Sequence, residues 1–328
     1  MVNTRQVERS KRIQRRTGKT FHLATRLLPE RVRHPTYVLY AFFRVADEVV
    51  DTADPAPPAE QRAELERLRA EALGEREPTD DVLAAFCEVR EEVGIDDADV
   101  EVFVDAMLAD IDTSRYETYD DLEAYMDGSA AAVGRMMTAV MDPDDRERAL
   151  PYATALGEAF QLSNFLRDVR EDVVERERVY LPQETLRKHG VSEEEVKDFE
   201  FTEDFRAVMR DELARTEELY REGVAGIKYL PEDCQFAGLL AAVLYADHHR
   251  AIRRLDYDVL SETPSLSTTR KLWLLARTRL AWAVTKDPET VFRRVSVVPY
   301  PGGHAAGVEK RPGSGRGRRV AAWMRDLI

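Results

Sequence analysis

The sequence has only two cysteines, Cys87 and Cys234, and they stand in no metal-ligand spacing. Neither a disulfide framework nor a thiolate metal site is expected, and a reducing compartment suits such a chain. No apolar run approaches the roughly 18 residues that span a bilayer. The stretch from Met1 to Lys19 is basic and polar, without the apolar segment of a secretory signal. The expected location is therefore the cytoplasm, with peripheral contact to a membrane surface if the substrate is apolar. Strand-like alternation with hairpin turns is missing. So are GxxxxGK[ST] and GxGxxG loops, a nucleophile elbow and HExxH. The six histidines form no ligand set, and nothing indicates a nicotinamide cofactor. Lysine is scarce, eight of 48 cationic residues, against 62 acidic ones and a net charge of −14. A chain this acidic repels a phosphate backbone, which excludes nucleic acid as a partner. Abundant carboxylates with few lysines lead us to expect a halophilic protein; a GC-rich genome would give the same arginine bias.

What is present is helical periodicity. With 328 residues and 44% hydrophobic, the chain can bury a large core. Apolar positions at Tyr37, Val38, Tyr40, Ala41, Phe42, Val45 and Val49 predict a buried helix over 35–50. Three prolines in TADPAPPAE break it. Further helices are expected near 59–74, 79–93, 97–112, 119–141, 145–174, 202–226, 232–257 and 266–286. The fold class is all-α, with one helical domain over 1–290. Residues 291–328 are expected to be a flexible basic tail rich in Gly, Pro and Arg. Its last piece, VAAWMRDLI, reads either as a frayed or docked end or as a weak membrane-surface contact. No internal repeat is apparent.

Two acidic motifs carry the chemistry. RVADEVVD places Asp47 and Asp51 four residues apart, and NFLRDVRED places Asn164, Asp168 and Asp172 at steps of four. On a helix such residues share a face, and oxygen-only ligands suit a hard cation such as Mg²⁺. About a dozen i,i+4 acidic pairs are expected by chance in this composition, so spacing alone equally fits a solvated face. The flanks differ from a solvated face: Asp47 and Asp51 close the apolar AFFRVA, and Asp168 follows FQLSNFL. Carboxylates beside such surfaces are costly without a cation. Arg44, Arg167, Arg176 and Arg178 lie nearby, and Lys19 and Thr20 begin a helix-like segment able to take a phosphate. Each alone fits an ordinary salt bridge; together they fit a polyanionic ligand.

These segments resemble the phytoene/squalene synthase family. GKTFHLATRLLPERVRHPTYVLYAFFRVADEVVD resembles its N-terminal signature. LGEAFQLSNFLRDVREDVVERERVYLP resembles the second, through Arg176, Arg178, Tyr180, Leu181 and Pro182. YETYDDLEAYMDGSAAAVGRMM and LYADHHRAIRRLDYDVL resemble two further helices, so the likeness covers roughly 17–285. The resemblance implies an isoprenoid synthase fold with a central cavity, in which two prenyl diphosphates are joined head to head. It implies Mg²⁺, with Mn²⁺ as a substitute, held by Asp47, Asp51, Asn164, Asp168 and Asp172, and no NADPH. Arg44, Lys19, Thr20, Arg167 and Arg176 would meet the diphosphates. Tyr40, Tyr125, Gln161 and Tyr245 would line the chamber, and Phe21 would pack on a prenyl chain. The expected reaction makes 15-cis-phytoene from two geranylgeranyl diphosphates through a cyclopropyl diphosphate. The alternative is squalene or dehydrosqualene from farnesyl diphosphate; a non-catalytic scaffold relative and a terpene cyclase are more remote. The sequence departs from the family pattern at Asp127, where relatives carry an aromatic residue. It departs again at Thr263, where relatives carry an arginine whose work Arg250, Arg253 or Arg270 could take over.

Overall fold

A computed structural model describes residues 23–52 and 56–301, and among them the regular structure is helical. The order is α1 (Glu30–Val50), α2 (Pro58–Ala72), α3 (Asp81–Val93), α4 (Asp97–Ala109) and α5 (Tyr119–Met126). A π-helical turn, Asp127–Ala131, runs on into α6 (Ala132–Met141). Then come α7 (Arg146–Arg176), α8 (Gln183–Lys188), α9 (Glu193–Lys197) and α10 (Glu203–Ala225). A 3₁₀ turn, α11 (Glu232–Arg254), α12 (Thr268–Val284) and α13 (Pro288–Val295) complete it. Each long helix expected from periodicity is present. The helices α8, α9 and α13 were not expected, because one or two turns carry too few residues to show a period of 3.6. Compact packing runs through Val298, with Val291 and Phe292 fully buried on α13. The flexible basic tail expected over 291–328 falls mostly outside the described residues, and its first residues, through Val298, pack into the body instead. No described helix is long and apolar enough to cross a membrane.

Local sequence sets the helix ends. Asp80 accepts from the Val82 and Leu83 amides, and Thr118 with Asp121 forms a reciprocal cap on α5. Such caps satisfy amides that have no partner within the helix. α1 begins earlier than expected, at Glu30, and carries Pro35 inside it. Its inner stripe, Val32, Leu39, Phe42 and Ala46, is fully buried. Phe42 stacks on Phe86 of α3 with ring centroids 3.9 Å apart. Burying one such ring contributes about 1.5–3 kcal/mol.

The longest helix, α7, is the axis of the fold and packs on α6, α10, α11 and the π-helical turn. Two glycines allow this approach. A Cβ on Gly134 would lie 2.6 Å from the Ala153 carbonyl oxygen, and one on Gly157 would lie 2.6 Å from that of Ala130. Backbone meets backbone there, so any side chain would separate α7 from the α5–α6 segment. That seam and the acidic end of α1 enclose a cavity of about 910 Å³.

Candidate active site

Both acidic motifs face this cavity. Asp47 and Asp51 reach it from the last turn of α1, and Asn164, Asp168 and Asp172 from the C-terminal half of α7. The helices oppose each other closely enough to share one cation. Arg176 donates from Nε to Asp51 Oδ2 at 2.8 Å and from Nη1 to Asp172 Oδ1 at 3.0 Å. One guanidinium thus spans the gap between the two motifs.

The end of α7 explains how Arg176 and Arg178 both reach Asp51. Glu177 closes the helix in the left-handed region, φ 53°, which is uncommon for a non-glycine residue. The Arg178 amide then returns to the Asp172 carbonyl at 3.2 Å. The next residues dock beside the α4–α5 connection, where the Val179 amide donates to Ser114 O at 2.9 Å and the Gln183 amide to Tyr116 O at 2.9 Å. So held, Arg178 is almost fully buried. It meets Asp51 Oδ1 at 3.3 Å, the Tyr180 hydroxyl at 3.2 Å and the Asp110 carbonyl at 2.5 Å.

The other carboxylates are also paired. Arg44 binds Asp47 one turn away, and Arg167 grips Asp168 through both of its arms, with Nε 2.6 Å from Oδ1. Negative charge is nevertheless in excess. Burial, with repulsion from Asp51, pushes Asp47 up to about 6 against the opposing pull of Arg44 and Arg176. Burial pushes Asp172 up to about 7, against Arg176 and with Asp168 and Glu171 adding to the rise. These carboxylates would gain from a further cation.

The donor set fits a hard divalent ion, since every proposed ligand is an oxygen. Among the described residues no three His, Cys, Asp or Glu side chains converge as a ready-made metal cage. Mg²⁺ takes one or two carboxylates and fills its shell with water and substrate phosphate.

Sequence reasoning passed over Asp110 at the end of α4. Its carboxylate accepts from the Tyr125 hydroxyl at 3.0 Å and lies 3.4 Å from Arg178, while its Oδ1 has no hydrogen-bond partner. Burial pushes it up to about 7, partly offset by Arg178. The available signal was the one that singled out Asp47: an aspartate closing an apolar helical stretch, here VFVDAMLAD. Aromatic rings surround it. Phe165 stacks on Tyr180 at 3.9 Å, and Tyr116 lies 5.3 Å from Tyr125. Such faces can hold positive charge through their quadrupole.

Of the residues singled out from sequence, Tyr40, Arg44, Asp47, Asp51, Tyr125 and Gln161 all line the cavity. So do Asn164, Arg167, Asp168, Asp172, Arg176 and Tyr245. Lys19, Thr20 and Phe21 lie outside the described residues. The two departures have structural answers. Asp127 points away from the cavity and accepts from Arg135 Nη1 at 2.7 Å, so it takes no place in the chamber. The suggested replacements for an arginine at 263 do not serve. Arg250 and Arg270 both bind Asp247, Arg253 binds Glu217 at 2.6 Å, and none of the three lines the cavity. His248 and His249 are buried, and burial lowers both, His248 to about 3. His248 accepts from Arg167 across 3.5 Å, and His249 lies 3.0 Å from Ser163, tying α11 to α7 behind the acidic face.

Comparison with known proteins points the same way. A family model described as squalene/phytoene synthase matches residues 14–270. The phytoene synthase of Rhodobacter capsulatus is 34% identical over 285 residues, covering 82% of this chain and 80% of its own. The 15-cis-phytoene synthase of Synechococcus elongatus is 31% identical, covering 81% and 89%. Among solved structures, a dehydrosqualene synthase in complex with ligand superposes with a TM-score of 0.77 at 28% identity, over 85% of this chain and 97% of that one.

Proposed function

The chain belongs to the squalene/phytoene synthase family, and from that premise we propose that it is a prenyltransferase of the 15-cis-phytoene synthase type. It joins two geranylgeranyl diphosphates head to head through a cyclopropyl diphosphate, the first committed step of carotenoid biosynthesis. The observation that carries this reading is the Arg176 bridge between Asp51 and Asp172, which brings two acidic helix faces together at one end of an otherwise apolar and aromatic cavity. A pair of facing acidic motifs suits a pair of diphosphates.

The metal ligands in this reading are Asp47, Asp51, Asn164, Asp168 and Asp172. A bound Mg²⁺, or Mn²⁺ in its place, supplies positive charge that neutralises a departing diphosphate. The chain's own groups do the rest. Arg44, Arg167 and Arg176 present guanidinium donors at the same wall, where phosphate oxygens can replace the carboxylates they now hold. Lys19 and Thr20 are assigned to the same anions by family likeness, and Phe21 to a prenyl chain. Tyr125, Tyr180 and Phe165 turn ring faces or edges toward the chamber, where a carbocation is lower in energy than against aliphatic walls. Tyr40, Gln161 and Tyr245 shape the chamber. Its apolar lining keeps water from quenching the cation.

A squalene-type reaction on farnesyl diphosphate is the weaker reading. A dehydrosqualene synthase is the structural neighbour described above, but curated relatives at 30–35% identity are named phytoene synthases. The deciding experiment incubates the protein with geranylgeranyl diphosphate and Mg²⁺, in high salt to suit the acidic surface, and analyses the hexane extract by mass. A C40 hydrocarbon formed without NADPH is expected. A C30 product from farnesyl diphosphate alone would move the chain to the other branch, and no product from either substrate would refute catalysis.

A further inference from the structure

The helix α12 buries Leu274, Leu275, Thr278 and Trp282 against the body, packing on α11 and α13. Its other side should be polar by the usual rule for a surface helix. Instead Trp273 is 46% exposed, Leu280 72% and Val284 78%. These residues are seven and four positions apart, so they form one line along the helix. Among the described residues Val174 is the one other large hydrophobic so exposed, and it lies on α7.

The charge around this line is reversed from that of the chain. From Thr263 to Val295 there are seven cationic residues and two acidic ones, in a protein of net charge −14. Between Glu262 and Asp287 there is no acidic residue at all. Arg270 is fixed by buried Asp247 at 2.6 Å. The guanidinium groups of Arg270 and Arg277 lie 4.4 and 5.0 Å from the Trp273 ring centroid and hold it at the surface. Among the described residues Arg277, Arg279 and Lys286 pair with no carboxylate. Of the two acids, Asp287 caps α13 and Glu289 meets Lys228 at 3.7 Å.

We propose that the outer face of α12 is a docking surface for an anionic lipid bilayer. The line of Trp273, Leu280 and Val284 enters the acyl boundary, while the flanking arginines and Lys286 meet lipid phosphates. A second copy of the chain fits poorly. Two such faces would bring like charge together, and three large side chains fall well short of the about 800 Å² per partner that a stable interface buries. The C-terminal segment 302–328 carries six cations and two acids, so it too has the wrong sign to cover this face. The proposal does not depend on the assigned reaction, and its test involves no turnover.

The test is flotation of the full chain with vesicles of phosphatidylcholine and phosphatidylglycerol, with pure phosphatidylcholine vesicles for comparison. Wild type is expected to float with the anionic vesicles at least tenfold more strongly than with neutral ones. Binding should fall with added salt, and tryptophan emission should shift to the blue. The double variant Leu280→Glu, Val284→Glu changes exposed positions only. It should keep its circular dichroism and melting temperature and lose at least tenfold in binding. Equal flotation of variant and wild type, or no preference for anionic vesicles, would overturn the proposal. A concentration-dependent dimer that the double variant abolishes would overturn it in favour of self-association.

Discussion

Asp110 offers a sharp test of the electrostatics around the cavity. Its carboxyl is almost fully buried and pushed from 3.8 to about 7 by loss of solvent, despite Arg178 beside it. A carboxyl raised in this way favours the folded state while protonated. Its contribution is fully present below about pH 4 and is lost as pH rises through about 7. A tenfold change in proton affinity between the folded and unfolded chain corresponds to about 1.4 kcal/mol. Between pH 5 and 8.5 wild type should therefore lose roughly 2–3 kcal/mol through this one group. Asp110→Asn cannot titrate, yet it keeps an oxygen to accept from Tyr125. Arg178 retains Asp51, the Tyr180 hydroxyl and the backbone carbonyl at 110. The assay is chemical unfolding of both proteins at several pH values in EDTA. Buried His248 and His249, whose values are lowered, act in the opposite direction, stabilising above their unfolded range and costing stability as pH falls. They are common to both proteins and cancel in the difference. The variant should gain on wild type by about 2 kcal/mol as pH rises from 5 to 8.5. Parallel curves would refute the reasoning.

Asp51→Asn and Asp168→Asn should each reduce hydrocarbon formation at least a hundredfold while the melting temperature moves by only a few degrees; near-normal turnover in either would remove these residues from the site. Activity should vanish in EDTA, return with Mg²⁺ or Mn²⁺, and be indifferent to NADPH, as followed by product mass. Gly157→Ala should cost roughly 1–3 kcal/mol, because its methyl group would meet a backbone carbonyl 2.6 Å away; an unchanged melting curve would show that the seam can open. At Asp127 the expectation is the reverse: Asp127→Asn should leave product yield unchanged, since the side chain pairs outside the cavity with Arg135.

The acidic motifs were legible because four-residue spacing on a helix puts oxygens on one face whatever the helix later packs against. Their apolar flanks separated them from the many other acidic pairs. Asp110 carried the same flank signal but no partner four residues away, so spacing missed it. Arg178 was visible within its motif, yet nothing in the sequence joined it to Asp110, 68 positions earlier. The error over Arg250, Arg253 and Arg270 has a similar source. Arginines near a motif look interchangeable along the chain, and only the fold shows that these three pair with Asp247 and Glu217 away from the cavity lining.

By itself, then, the sequence determined what depends on nearby residues: helices from their periodicity, their ends from caps and prolines, and two faces of oxygen ligands at steps of four. It also carried the reversal of charge near residue 270. Only the tertiary structure decided which faces meet. The opposition of Asp51 and Asp172 across one guanidinium needs the end of α1 to face the C-terminal half of α7 across the cavity, while α7 itself is seated on the α5–α6 segment where glycines at 134 and 157 let backbones touch. It also decided which side of α12 stays in water, because two apolar faces on one helix cannot be ranked until the body has covered one of them.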